Sequence, residues 1–353
     1  MTALHVPSLG PGAGKTALCT DLAKRWQVLG KRVGFFKPIS VAEEEIGEEF
    51  VDRDVETVKA VLGLEESEAT LCPVAMTLSE LNAAGENDIK GYIKRIVDAN
   101  EQVSKGKDIV VSEGLGYLGF EGNALELSKS IIGALKAKTL IIARHEDTLS
   151  AENVVSTSKA LGDAVIGVVI NAVPESKLNS VKTALVPSLK EMGMKVAGVI
   201  PEDRTLFAFT VQDLLRELGG ELVTSGTYDS QPLENIMVGA LTLDSGLSYF
   251  NRKPNKLVVT RGNRADIHLA ALETSTRCLV CTGGMKPMPR VISQAEQKGI
   301  PVVVVNEDTN ATIAKLESII PKVRFQQGEK LEKLSDLVEK HLDLKALNQA
   351  LGL

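Results

Sequence analysis

Over residues 1–220, short apolar runs alternate with stretches whose apolar residues recur at helical spacing. The runs are 3–7, 32–36, 108–112, 139–143, 165–170 and 196–200. They are apolar without strict alternation, so they read as strands covered on both faces, which is the habit of a parallel sheet. Residues 16–29 and 89–103 carry the helical period between them. Strands and helices in that order predict a doubly wound, mostly parallel α/β sheet.

The alternation breaks at 219–234, where Gly219, Gly220, Ser225, Gly226, Ser230 and Pro232 cluster. A domain boundary is expected there, giving domains at 1–220 and 221–353. Beyond it, βα alternation resumes on a smaller scale, with strands expected at 236–241, 256–260, 278–281 and 302–305. Leu331, Leu334, Val338 and Leu342 then fall at helical spacing, so residues 329–342 are expected to close the second domain as an amphipathic helix. No period of repeat length recurs, which excludes a solenoid.

Composition narrows the classes. The chain has 353 residues, 44% hydrophobic and 24% charged, enough for two buried cores and unlike a disordered protein. A net charge of −6 offers no broad basic face for a nucleic acid backbone. No apolar stretch has the length of a membrane span and no leader pattern opens the chain, so a cytoplasmic protein is expected. Cys278 and Cys281 show a C-x-x-C spacing, yet residues three apart on a strand point to opposite faces, so core packing is expected rather than zinc or redox chemistry. Cys19 and Cys72 have no partner pattern, which fits a reducing compartment, and His5, His145, His268 and His341 share no ligand spacing.

Chemistry concentrates at the end of the first strand. Ser8-Leu9-Gly10-Pro11-Gly12-Ala13-Gly14-Lys15-Thr16-Ala17 follows a strand and opens a helix, the context of a phosphate-binding loop. Glycines let backbone N–H groups converge on phosphate oxygens, and the helix N-terminus adds its positive end. Lys15 neutralises β and γ charge, and Thr16 is placed to ligate magnesium. Leu9 stands where the strict motif has glycine, without removing a phosphate-touching residue. Ile109-Val110-Val111-Ser112-Glu113-Gly114 ends a strand in an acid, which puts Glu113 at the ligand edge as a second candidate for magnesium. Phe36-Lys37-Pro38 ends another strand, where Lys37 reads either as a ligand for a carboxylate or γ-phosphate, or as a solvated lysine before a turn. The acidic run 43–49 reads as a solvated face.

With these residues in hand, the first domain resembles dethiobiotin synthetase, and more closely the N-terminal region of long bacterial phosphate acetyltransferases. The resemblance rests on the phosphate loop, Phe36-Lys37-Pro38, Ser112-Glu113-Gly114, Gly167-Val168-Val169-Ile170-Asn171 and Ala197-Gly198-Val199-Ile200-Pro201. It implies adenine contacts at Asn171, Pro201, Glu202 and Asp203, magnesium ligands at Thr16, Asp54 and Glu113 with Asp52 rivalling Asp54, and a substrate-facing Lys37. Lys15 and Lys37 would be the catalytic pair, with ATP and Mg²⁺ as cofactors. The second domain looks like the DRTGG domain, through Arg261-Gly262-Asn263-Arg264-Ala265-Asp266 and Thr282-Gly283-Gly284, with Asn263 where that domain's aspartate falls. A regulatory ligand is then expected near Arg264, Asp266, Thr282, Gly283 and Gly284, with Arg264 offering a planar fork to an anion. The rival reading there is a set of turn glycines and a helix-start charge pair.

Three functions follow as expectations. One is an ATP- and magnesium-binding protein whose DRTGG-like domain senses a metabolite. The second is an ATP-dependent ligase activating a carboxylate or carbamate. The third is a non-catalytic partner of a separate acyltransferase, since the acyl-transferring domain of phosphate acetyltransferases lies beyond the region matched. Relatives of this kind assemble, so a homo-oligomer is expected.

Overall fold

A computed structural model describes residues 1–42, 52–119, 122–226, 228, 232–239, 243–319 and 328–353. The acidic run 43–49 and the end of the strand expected at 236–241 lie outside the described residues. The chain forms two compact units, Met1–Glu202 with Phe325–Leu353, and Asp203–Arg324.

The first unit is built on β1 (Thr2–Val6), β2 (Val33–Phe36), β5 (Ile109–Glu113), β6 (Lys138–Arg144), β7 (Val165–Val173) and β8 (Val196–Pro201). They form one sheet in the order β2-β5-β1-β6-β7-β8, every neighbouring pair parallel. All five residues of β5 and all four of β2 are buried, as expected for strands sandwiched between helices. A smaller parallel pair, β3 (Ile39–Ala42) with β4 (Val74–Thr77), had no signal in the apolar pattern. Helix α1 (Lys15–Val28) buries Leu18, Cys19, Leu22, Ala23 and Trp26, a stripe set by the helical period. Because β5 and β6 lie on opposite sides of β1, successive connections diverge there. The carboxyl end of β1, where α1 begins, is therefore the switch point at which sheets of this kind take ligands.

The second unit carries β9 (Glu221–Leu222), β10 (Asn235–Val238), β11 (Lys256–Arg261), β12 (Thr276–Thr282) and β13 (Val302–Val304) in the order β10-β11-β12-β13-β9, parallel except for β9. Leu257, Val259, Cys278 and Val280 enter one core with Leu214 and Leu316, while Val258, Leu279 and Cys281 enter another with Phe250 and Ile267. Cys278 and Cys281 thus sit on opposite faces of β12 as free, buried thiols. Burial pushes both thiols up, Cys281 to about 12.

The two compact units divide the chain elsewhere than at the expected boundary of 219–234. The first unit ends at Glu202, and the C-terminal helices Gly328–His341 and Leu344–Leu351 rejoin it instead of closing the second domain. The apolar face of residues 329–342 is real, but its spacing does not say which sheet it covers. Arg25 of α1 donates to the Ser335 carbonyl and, at 2.8 Å, to its hydroxyl, and Trp26 Nε1 donates to Asn348 Oδ1 at 2.9 Å. Gly198 of β8 makes room for the returning chain, since a Cβ there would stand 2.5 Å from the His341 carbonyl oxygen.

Candidate functional site

The loop between β1 and α1 is held from both neighbouring strands. Leu9 N–H donates to the Ile142 carbonyl at 3.1 Å and Ser8 N–H to the Leu115 carbonyl at 2.9 Å, tying the loop's entry to β6 and to the segment after β5. Gly12 and Gly14 take φ of 61° and 87°. At Gly14 a side chain would be strained by that φ, and its Cβ would stand 2.6 Å from Asn171 Nδ2, displacing that amide. Asn171 Nδ2 donates to the Ala13 carbonyl at 2.8 Å, and Arg144 Nη1 donates to the Gly12 carbonyl at 3.2 Å. Lys15 Nζ donates to Ser8 Oγ at 3.1 Å, and Ser8 Oγ donates to the Gly10 carbonyl at 2.6 Å. Burial lowers the Lys15 ammonium, and Glu113 opposes that.

Beside Lys15 the expected metal residues meet. Thr16 Oγ1 donates to Glu113 Oε1 at 2.9 Å and lies 3.5 Å from Asp54 Oδ2. Lys37 Nζ stands 2.7 Å from Asp52, 3.4 Å from Asp54 and 3.7 Å from Glu113. Burial works against the Lys37 charge, but Glu113, Asp54 and Asp52 together hold its ammonium well above the ordinary lysine range. Burial raises the Glu113 carboxyl in spite of Lys37, and its Oε2 is buried with no hydrogen-bond partner.

The two rival aspartates differ in what they already hold. Asp52 Oδ1 caps helix α2 (Arg53–Leu62), accepting from the N–H groups of Asp54 at 2.9 Å and Val55 at 3.2 Å, while its Oδ2 pairs with Lys37. Burial opposes its charge, yet Lys37 and hydrogen bonds from Ser40 and the Val55 amide keep the Asp52 carboxyl below its usual range. Asp54 is 49% exposed and points the same oxygen at Thr16 and Lys37.

A magnesium polyphosphate fits this donor set. Glu113 Oε2 is an unpaired buried acceptor beside a threonine hydroxyl, and the charge of Lys15 acts on the same carboxylate. Among the described residues no group of three or more His, Cys, Asp and Glu side chains is spaced to hold a metal unaided. A cation here would complete its shell with phosphate oxygens and water.

The remaining expected residues divide. Pro201 ends β8 opposite Val173, and Glu202 N–H donates to the Val173 carbonyl at 2.8 Å, two residues along β7 from Asn171. Asp203 opens the second unit and caps its first turn, accepting from Thr205 N–H at 3.0 Å. Within that unit, Arg264, expected to offer its fork to an anion, stands at the start of the helix Ala265–Leu272. Its Nε and Nη2 grip Asp266 at 3.0 and 2.9 Å, because a carboxylate two residues on is the nearest partner at the helix start. Gly283 and Gly284 donate to the carbonyls of Glu307 and Val305, both at 2.8 Å, and Thr282 Oγ1 meets Thr309 Oγ1 at 3.0 Å.

Arg144 was missed by sequence reasoning, and Ser8 was quoted with the loop but given no role. Arg144 could have been found by the same strand-end rule that singled out Glu113, because it closes β6 beside β1.

Comparison with known proteins adds the family context. The model of a family described as AAA domain matches residues 2–209, and that of the DRTGG domain matches 213–319. Curated relatives include phosphate acetyltransferases of Pseudomonas putida (26% identical, over 97% of this chain and 50% of the relative) and Nitrosomonas europaea (24% identical, over 100% and 52%). The chain spans about half the length of these relatives. Among solved structures, the MinD cell division protein of Aquifex aeolicus is 16% identical with a TM-score of 0.38, covering 58% of this chain and 84% of that one. The CBS and DRTGG domains of the regulatory region of Clostridium perfringens pyrophosphatase, complexed with diadenosine tetraphosphate, are 21% identical with a TM-score of 0.30, covering 35% and 53%. Among the described residues no helix is long and apolar enough to cross a membrane.

Proposed function

The chain belongs, through residues 2–209, to the AAA domain family, and on that premise we propose that its first unit binds ATP with magnesium at the Gly10–Thr16 loop. The observation that carries this reading is the meeting of Lys15, Thr16 and the half-satisfied Glu113 at the mouth of α1. Backbone N–H groups of Gly12 to Ala17 and the Lys15 ammonium would hold the phosphates, with Gly10 and the donor-less Pro11 shaping the loop's entry. Thr16, Glu113 and Asp54 would hold the cation, which when bound supplies charge neutralisation at the phosphates. Asn171 and the Pro201-Glu202 turn border the place for the base.

The second unit is read as a regulatory ligand-binding domain, and the whole region as a nucleotide-responsive control element for acyl transfer. Its support is the alignment of nearly the full chain with half of each phosphate acetyltransferase. In the ligase alternative Lys37 would meet a substrate carboxylate. Its place among Asp52, Asp54 and Glu113 favours a charge-balancing role instead.

Titration calorimetry with MgATP tests the reading. The native protein is expected to bind, and Lys15→Ala to bind about tenfold to a hundredfold more weakly, the cost of one charge-assisted contact. No binding of ATP or ADP at millimolar concentration would overturn it.

A further inference from the structure

Arg144 and Asn171 are register partners on β6 and β7, and their side chains end on consecutive carbonyls of the loop, those of Gly12 and Ala13. We infer that the two residues form a carbonyl clamp that presets the loop for phosphate, a reading that rests on the proposed nucleotide site and deepens it. A peptide unit is planar and trans, so its N–H points opposite to its C=O. Holding the Gly12 carbonyl therefore aims the Ala13 N–H, and holding the Ala13 carbonyl aims the Gly14 N–H. Both peptides lie between glycines at positive φ, Gly12 and Gly14, where rotation meets little steric resistance. A flipped peptide would present an oxygen to the phosphates. Two donors on the rigid end of the sheet oppose that flip.

The clamp assigns Asn171 a task independent of any base. It also makes Arg144, absent from the sequence-derived site, a positioning residue that acts through the loop backbone. The Arg144–Asn171 strand pairing couples the two, since each holds one side of the same loop conformer.

Binding of inorganic tripolyphosphate, which has no base, separates the clamp from an adenine contact. Calorimetry is run on the native chain, Arg144→Met, Arg144→Lys, Asn171→Ala and the Arg144→Met/Asn171→Ala double variant, with ligand-free melting as the folding control. Arg144→Met and Asn171→Ala are each expected to weaken tripolyphosphate about tenfold, with melting unchanged. Arg144→Lys, still a donor, should recover to within about threefold, and the double variant should lose less than the product of the two single losses, as expected for coupled residues. Unchanged tripolyphosphate affinity in Asn171→Ala, or fully multiplicative losses, would overturn the clamp while leaving the nucleotide reading intact. Failure of the native chain to bind either tripolyphosphate or MgATP would overturn both.

Discussion

Glu113 is the residue at which binding and stability pull apart. Its carboxylate is buried against Thr16, one oxygen is unpaired, and burial raises it above the ordinary value of 4.5. The folded chain therefore prefers the protonated form more than the unfolded chain does, so ionisation costs stability as pH rises through this window. Glu113→Gln removes that cost. Its ligand-free thermal midpoint at pH 8 is expected to rise above that of the native chain. The gain should shrink as pH falls toward the ordinary glutamate range, while magnesium-dependent ATP binding weakens about tenfold. A lower midpoint at pH 8 would contradict this account. The strand-end rule made Glu113 legible from sequence. The choice between Asp52 and Asp54 was not, because two acids before one helix have the same pattern until a cap and an ion pair claim one of them.

At the scale of elements, the returning C-terminal helices matter most. Leu334, Val338, Leu342, Leu347 and Leu351 are buried, and Arg25 and Trp26 anchor the segment to the helix that carries the phosphate loop. A fragment ending at residue 220 would expose the apolar surface that these helices cover. Burying one such side chain is worth about 1.5–3 kcal/mol, so losing several is comparable with the whole of an ordinary domain's stability. Residues 1–220 alone are expected to aggregate or melt without a cooperative transition. A chain joining 1–202 to 325–353 through a flexible linker should melt cooperatively by circular dichroism and bind MgATP. Cooperative folding of 1–220 would show that the segment is dispensable.

At the scale of the whole molecule, each unit has its own sheet and its own buried apolar residues. Scanning calorimetry is expected to resolve two transitions, with MgATP moving only the one that belongs to the first unit. At a hundred times the dissociation constant the stabilisation is about 2.7 kcal/mol, or roughly 5–10 °C for a unit of this size. A single transition displaced as a whole by MgATP would mean that the units unfold together.

Sequence alone determined the local terms: the β1–loop–α1 succession, the buried parallel strands, Glu113 at a strand end, and the division of Cys278 and Cys281 between two faces. Those features follow from the period of the chain and from conformational preferences within a few residues. Tertiary structure decided the meetings between distant segments: β3 with β4, Asp52 with Lys37, Arg144 with Gly12, and residues 328–353 with α1. An apolar stripe or a charged tip states what it needs but not which partner supplies it. That choice is made when the sheet order brings particular strand ends and helix faces within reach.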